Sequence, residues 1–425
     1  MSDLRDLARN LSKAVECYAD ELDRAGCTPD DPSLTLLGSK GLAAREDIII
    51  GAENILQRAR GPVATLIGFM ESAVDLGTIQ TLIRLGVPEH VPFPGSITYT
   101  ELAGKLTTPI SPDLLQRLIR FSRLDGFLDE DVSGAVKHTP ASAIFVTDAN
   151  TSGQAKFMAD FGIRPCASLY ESIKLDPSGE IPRRGPLAVM AREEPGIGEG
   201  PTFFEVLEKD ATNQARWHDA MAVHDDSVIR LVAQAYDWGS VQSLVDIGGS
   251  EGHVATVIAK AFPNITITVQ DRPEVIARAR SRTTQHPRVS FAEHDFFAPQ
   301  RLTADAYFLR LILHDWNDAD AARIIRQIIP AMRNGSRLLI MDAVLPEPRG
   351  EGSGSVLRER QLRRSDIGMF TLFSAKERSL VQMRGLVEGC DGRLRFLGTS
   401  IPLRTRMLGI WPEIGLFSAP NEQAM

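Results

Sequence analysis

The feature that most constrains this chain is a change of rhythm at Ser243. From there, short apolar runs alternate with amphipathic stretches. Strands are expected over 243–247, 265–270, 288–292, 305–311 and 336–344, with helices over about 252–261, 273–281 and 318–333. Parallel strands need crossovers long enough to hold a helix, so this alternation predicts an α/β domain: a parallel sheet covered by helices on both faces. The first run, Leu244-Val245-Asp246-Ile247, stops at Gly248-Gly249-Ser250-Glu251-Gly252, and a helix follows at once. Glycines there let backbone approach a ligand closely at a helix N-terminus. The spacing is not the dinucleotide G-x-G-x-x-G, and the Lys-Ser/Thr of a phosphate-binding P-loop is missing.

The next strand ends in Asp271, where a carboxylate can hold both hydroxyls of a ribose; Pro273 and Glu274 behind it also suit a helix cap. The third strand ends at His294-Asp295-Phe296. Asp295 can accept from an adenine amino group, and Phe296 can stack on the ring. Acidic residues at successive strand C-termini read as a nucleoside site.

The first half of the chain reads differently. Leu4, Leu7, Leu11, Val15 and Leu22 predict an amphipathic helix, and a second helix is expected over about 43–60. These two fit a lid or an oligomer interface. A helix from Pro62 to about Leu85 follows, then one capped by Thr100 and one opened by Ser111. A hairpin is expected from Gly126-Phe127-Leu128 and Lys137-His138-Thr139. Three helices and a hairpin make a winged-helix-like order. His138, in the wing, reads as structural. Helices are expected at 169–173, 203–207 and 216–236, with a Pro/Gly-rich loop or flap over 176–201. The expected division is a helical extension (1–60), a winged-helix-like dimerisation domain (61–150), a helical linker that faces substrate (151–240) and a catalytic domain (241–425).

With 47 Lys and Arg against 55 Asp and Glu, the net charge of −8 argues against a nucleic-acid surface. The four cysteines form no metal-ligand or disulfide pattern, so no metal is expected. No apolar signal core is read at the N-terminus, nor an apolar run of the roughly 20 residues a membrane helix needs. The cytoplasm is the default expectation.

The strings LVDIGGSEGHVATVIAKAFPNITITVQDRPEVI, HDFF, FLRLILHDWNDADAARIIRQIIPAM, LLIMDAVLP and AKERS resemble the small-molecule O-methyltransferases of plants and fungi, the fungal secondary-metabolite branch above all. The resemblance covers about residues 62–418. It implies a Rossmann-like class I methyltransferase domain that binds S-adenosylmethionine, a helical N-terminal domain that makes a homodimer, and a small-molecule acceptor with a phenolic or enolic hydroxyl. By that resemblance the donor site is Asp246, Gly248, Gly249, Gly252, Asp271, Arg272, Asp295, Phe296 and Arg310. His314 is the general base, since an imidazole titrates near neutrality. Asp342 and Glu377 are its flanking acids. The family usually has Glu at 342, and Asp is shorter in reach. Ser250 and Glu251 also depart from the family's loop; Glu251 would add charge beside the donor or point to solvent. Asp315 reads as the start of the following helix, and Trp316 as packing on it. Trp217, Met221, Asp366 and Met369 match acceptor-lining positions, with plain core as the alternative. A second reading stays open, because fold does not fix function: a pericyclase that binds the donor without transferring its methyl group.

Overall fold

The computed structural model describes residues 4–28, 37–192, 199–210, 213–214, 217, 232–282, 286–347, 356–399 and 412–418. The chain forms two compact units, Met1–Ile163 and Arg164–Met425.

In the first unit, helix Leu4–Ala25 packs along the helix that begins at Ser39. That second helix runs to Arg84 but breaks at Gly61, whose φ of 68° and ψ of 178° are not helical. Pro62 restarts it, because a first-turn residue needs no amide hydrogen. Thr98, not Thr100, caps helix Tyr99–Lys105: its hydroxyl accepts the Glu101 amide and the Glu101 carboxylate accepts the Thr98 amide. This Thr-x-x-Glu box is the stronger cap because it satisfies two amides reciprocally. Ser111 caps helix Pro112–Leu124. Strands β1 (Ser96–Ile97), β2 (Leu128–Glu130) and β3 (Val136–His138) form an antiparallel wing in the order β1-β3-β2. Leu82, Leu102, Leu115, Ile119, Leu128 and Val136 are fully buried beneath it.

By contrast, Val63, Leu66, Ile67, Phe69, Met70 and Val74 are 50–70% exposed. By length and composition, Ser39–Arg84 also contains a window apolar enough to cross a membrane, which the sequence reading did not anticipate.

The second unit is built on β4 (Ser243–Ile247), β5 (Thr266–Asp271), β6 (Val289–Glu293), β7 (Ala306–Arg310), β8 (Arg337–Leu345), β9 (Arg378–Ser379), β10 (Arg395–Thr399) and β11 (Pro412–Ser418). The order is β10-β11-β8-β7-β4-β5-β6, and β9 pairs with the end of β8. The five expected strands are parallel to one another. The sheet as a whole is mixed, because β10 and β11 add an antiparallel hairpin beside β8. Alternate residues serve opposite faces. Leu244, Phe308, Leu339 and Met341 enter one core, while Val245, Ile247, Tyr307, Leu309, Leu338 and Ile340 enter the other. The stretch expected to be loop over 176–201 contains a short helix, Pro186–Met190, which Pro186 can open for the same reason as Pro62.

Candidate active site

The donor-side loop starts where β4 ends. Gly248 has φ +71°, and its amide donates to the Gln270 carbonyl at 2.7 Å. A Cβ on Gly249 would lie 2.5 Å from Asp246 Oδ2, and one on Gly252 would lie 2.9 Å from the Phe291 ring. These positions accept only glycine without a shift. Asp271 ties the loop down: Oδ2 accepts the Ser250 amide at 2.9 Å and Oδ1 the Arg272 amide at 2.8 Å. Each carboxylate oxygen keeps a further lone pair for a ligand hydroxyl. Glu251 pairs with Arg278 at 3.0 Å, and its side chain is 15% exposed.

Asp246 and Arg310 complete the floor. Burial pushes Asp246 up to about 7, against the pull of Arg310. Burial also draws the Arg310 guanidinium below its usual range, although Asp246 and Asp342 oppose this. Arg310 Nε is buried with no hydrogen-bond partner among the described residues. Arg272 is exposed, pairs with Glu274 at 3.1 Å and lies 5.8 Å over the Phe204 ring. Asp295 is exposed and takes the Phe297 amide at 2.9 Å. Phe296 joins an aromatic cluster, with centroids 5.1 Å from Phe297 and 5.8 Å from Trp316. Trp316 stacks on Phe204 at 6.0 Å. A glycine loop whose backbone a ligand can approach closely, a carboxylate at the tip of β5 and an aromatic cluster beyond β6 together fit an adenosyl ligand.

After β7, Leu311 takes a positive φ of +53°, and the single turn Leu313–Asp315 carries His314. His314 Nδ1 is 3.1 Å from Glu377 Oε1, and Nε2 is 3.6 Å from Asp315 Oδ1. Glu377 is 1% exposed; its Oε1 also accepts the Ser365 hydroxyl at 2.7 Å. Burial works against the imidazolium, but Glu377 and Asp315 outweigh it and hold His314 up at about 10. Burial raises Asp315 to about 7 and Asp342 to about 6, with His314 opposing both shifts. Asp342 is 2% exposed, and neither of its oxygens has a hydrogen-bond partner among the described residues. The Ile312 amide pulls its pKa down against the effect of burial. Asp342 therefore acts on His314 through its field alone, as the short side chain implies. Asp315, expected to open a helix, instead faces the imidazole; Asn317 caps helix Asp318–Ile328.

Of the acceptor-side residues, Trp217 packs on Phe203 at 5.0 Å and Phe373 at 6.5 Å. Asp366 accepts the Glu377 amide at 3.1 Å, so it supports the acid behind His314. The Met369 carbonyl accepts the Ala375 amide at 3.4 Å. Met221 lies outside the described residues. In the first unit, both ring nitrogens of His138 are engaged, with Ser142 Oγ at 2.9 Å and the Val91 carbonyl at 3.1 Å.

Sequence reasoning missed two supports. Ser365 immediately precedes Asp366 and carried no motif. Arg378 was part of the AKERS string but was given no task. Its side chain donates to the carbonyls of Leu313 and Trp316, both at 2.8 Å, on either side of His314. Among the described residues, the non-glycine positions with positive φ are Ser250, Leu311 and Ser374. They flank the donor loop, the histidine turn and the Glu377 segment. Such backbone strain gathers at functional sites.

This fold and site define an S-adenosylmethionine-dependent methyltransferase. An O-methyltransferase domain model matches residues 193–390 and an O-methyltransferase dimerisation domain model matches 66–148. The chain is 68% identical over 396 residues to the 6-hydroxytryprostatin B O-methyltransferase of Neosartorya fischeri, covering 93% of this chain and 95% of that protein. It is 46% identical over 417 residues to the O-methyltransferase FrzF of a Cladobotryum species, covering 95% and 96%. The chain belongs to this O-methyltransferase family, and its close relatives are fungal secondary-metabolite enzymes. A solved mitomycin 7-O-methyltransferase superposes with a TM-score of 0.70 at 26% identity over 89% of this chain and all of that one. A structure described as a pericyclic reaction enzyme gives a TM-score of 0.71 at 18% identity, over 97% of this chain and all of that one, and shares the fold alone.

Proposed function

We propose that this enzyme methylates a phenolic or enolic hydroxyl, with His314 as general base, and that 6-hydroxytryprostatin B is its acceptor. The supporting observation is the His314–Glu377 contact at 3.1 Å, on a turn at the C-terminal edge of the sheet where the glycine loop also lies. Asp246, Gly248, Gly249, Gly252, Asp271, Arg272, Asp295, Phe296 and Arg310 would hold the donor, which supplies an electrophilic methyl group on a cationic sulfur. Nδ1–H donates to Glu377, so Nε2 is the atom that takes the acceptor proton. Any added positive charge beside His314 lowers its pKa and frees Nε2 for that task. Asp315 and Asp342 stabilise the imidazolium that results. Trp217, Met221, Asp366 and Met369 are the acceptor-side residues; Asp366 acts through Glu377.

The relatives' dimerisation domain and the exposed apolar stripe Val63–Val74 support a homodimer formed through the first unit. The proposed location is the cytoplasm.

The test is transfer of labelled methyl from S-adenosylmethionine to 6-hydroxytryprostatin B and to a panel of simple phenols. His314→Ala should lower kcat by about 10²–10⁴-fold, the usual worth of a positioned base. S-adenosylhomocysteine should still bind. Full transfer by His314→Ala would remove the base. Turnover of other phenols but not of 6-hydroxytryprostatin B would remove that acceptor.

A further inference from the structure

We propose that Arg378 is a positioning residue for methyl transfer: it fixes the backbone of the turn that aims His314, while its neighbour Glu377 fixes the ring. The turn has little hold on itself. It is a single 3-10 turn that follows a strained Leu311, and its own bonds, Asp315 to Ile312 and Trp316 to Leu313, are both 3.2 Å long. Arg378 supplies what is missing. Nη1 donates to the Leu313 carbonyl at 2.8 Å, Nη2 to the Trp316 carbonyl at 2.8 Å and Nε to Asp318 Oδ1 at 2.9 Å. The planar guanidinium can serve three directions at once; an ammonium cannot hold the same geometry.

The side chain is 1% exposed, and a charge buried that deeply requires full pairing. Asp318, itself also held by Lys376 at 2.6 Å, is the partner. β9 anchors the other end, because Arg378 pairs with Val344 at the end of the strand that carries Asp342. The segment 376–379 therefore grips the turn by its backbone through Arg378 and by its side chain through Glu377. Misplacement of a catalytic group by about 1 Å can cost about 100-fold in rate. The proposal rests on His314 being the base, and the test separates the two.

The experiment compares wild type, Arg378→Lys, His314→Ala and the double variant for kcat, KM, the pH dependence of kcat and S-adenosylhomocysteine affinity by calorimetry. Arg378→Lys should lower kcat by about 100-fold. Donor-product affinity and acceptor KM should stay within about threefold, as for an interaction made only in the transition state. A looser His314–Glu377 pair loses part of its raised pKa, so the ascending limb of the profile should move to lower pH. In the His314→Ala background the same substitution should cost almost nothing more, the sign of two residues acting through one group. Unchanged kcat and limb, or an equal loss in the His314→Ala background, would overturn the proposal. Full activity in His314→Ala would instead overturn the base. Should Arg378→Lys not fold, Asp318→Asn weakens the same latch from its exposed end. It should lower kcat by about tenfold with the same shift of the limb, and no change in either would overturn the proposal.

Discussion

His314 Nδ1 lies 3.1 Å from Glu377 Oε1, and the Ser365 hydroxyl reaches that same oxygen at 2.7 Å. One buried carboxylate oxygen thus receives two donors, while Oε2 has none among the described residues. The Asp366 carboxylate holds the backbone amide of Glu377 at 3.1 Å, which fixes where its side chain starts. Glu377 thus holds the ring by Nδ1 and leaves Nε2 on the Asp315 side.

The resting protein should carry an imidazolium at neutral pH. His314 is raised from 6.5 to about 10, so its contribution to folding is complete below about 6.5 and lost as pH rises toward 10. As the proposed base, His314 must be neutral to act, so kcat/KM should climb from pH 7 to 9.5. Titration of the His314 ring by NMR in donor-free protein checks this; a midpoint near 6.5 would refute the pairing.

Asp342 should make the opposite demand on stability. Its pKa is raised from 3.8 to about 6, so the folded state prefers the protonated form and loses stability as pH rises through about 6. Asp342→Asn should stabilise the protein at pH 8 by about 1–3 kcal/mol, because the amide cannot ionise and so escapes the penalty that burial sets on the charged carboxylate. The gain should shrink at pH 4. Denaturant melts at the two pH values measure it, and a destabilised variant at pH 8 would contradict the prediction.

Gly249→Ala should damage donor binding more than folding. The added Cβ meets Asp246 Oδ2 at 2.5 Å, a carboxylate buried to 3% exposure, and Val269 Cγ1 at 3.0 Å. S-adenosylhomocysteine affinity should drop by at least about tenfold, the usual scale for a strained close contact. Calorimetry decides, and wild-type affinity would show that the loop adapts.

Charging the apolar stripe should split the dimer. Leu66 and Phe69 are 62% and 66% exposed within one chain. A patch of this kind marks an association surface. Leu66→Glu with Phe69→Glu should give a folded monomer by light scattering, whereas an unchanged mass would place the interface elsewhere.

The sequence made some of this legible and hid the rest for physical reasons. The glycine loop, Asp271 and the strands around them could be read locally, because strand, turn and helix follow within about 30 residues. The fold of the catalytic unit followed from the same rhythm. Arg378 could not be given its task, because its targets lie about 60 positions earlier and are backbone carbonyls, which leave no mark in a sequence. Asp315 was masked by a competing signal: an acid before a helix normally caps it, yet Asn317 took that place. The antiparallel β10 and β11 were missed because glycine, proline and polar residues interrupt them (RFLGT and PEIGLFS), so they lack the continuous apolar runs of the inner strands. Thr98 was readable in principle, as its Glu101 partner stands three residues on.

A Cβ added to Gly248 would press into the Ile312 side chain. The donor loop and the turn that carries His314 therefore share a wall. Grafting the glycine loop of one relative into another cannot be treated as exchange of an independent cassette. Residues 311–316 must travel with 248–252, because a change on one side of that wall has to be met on the other.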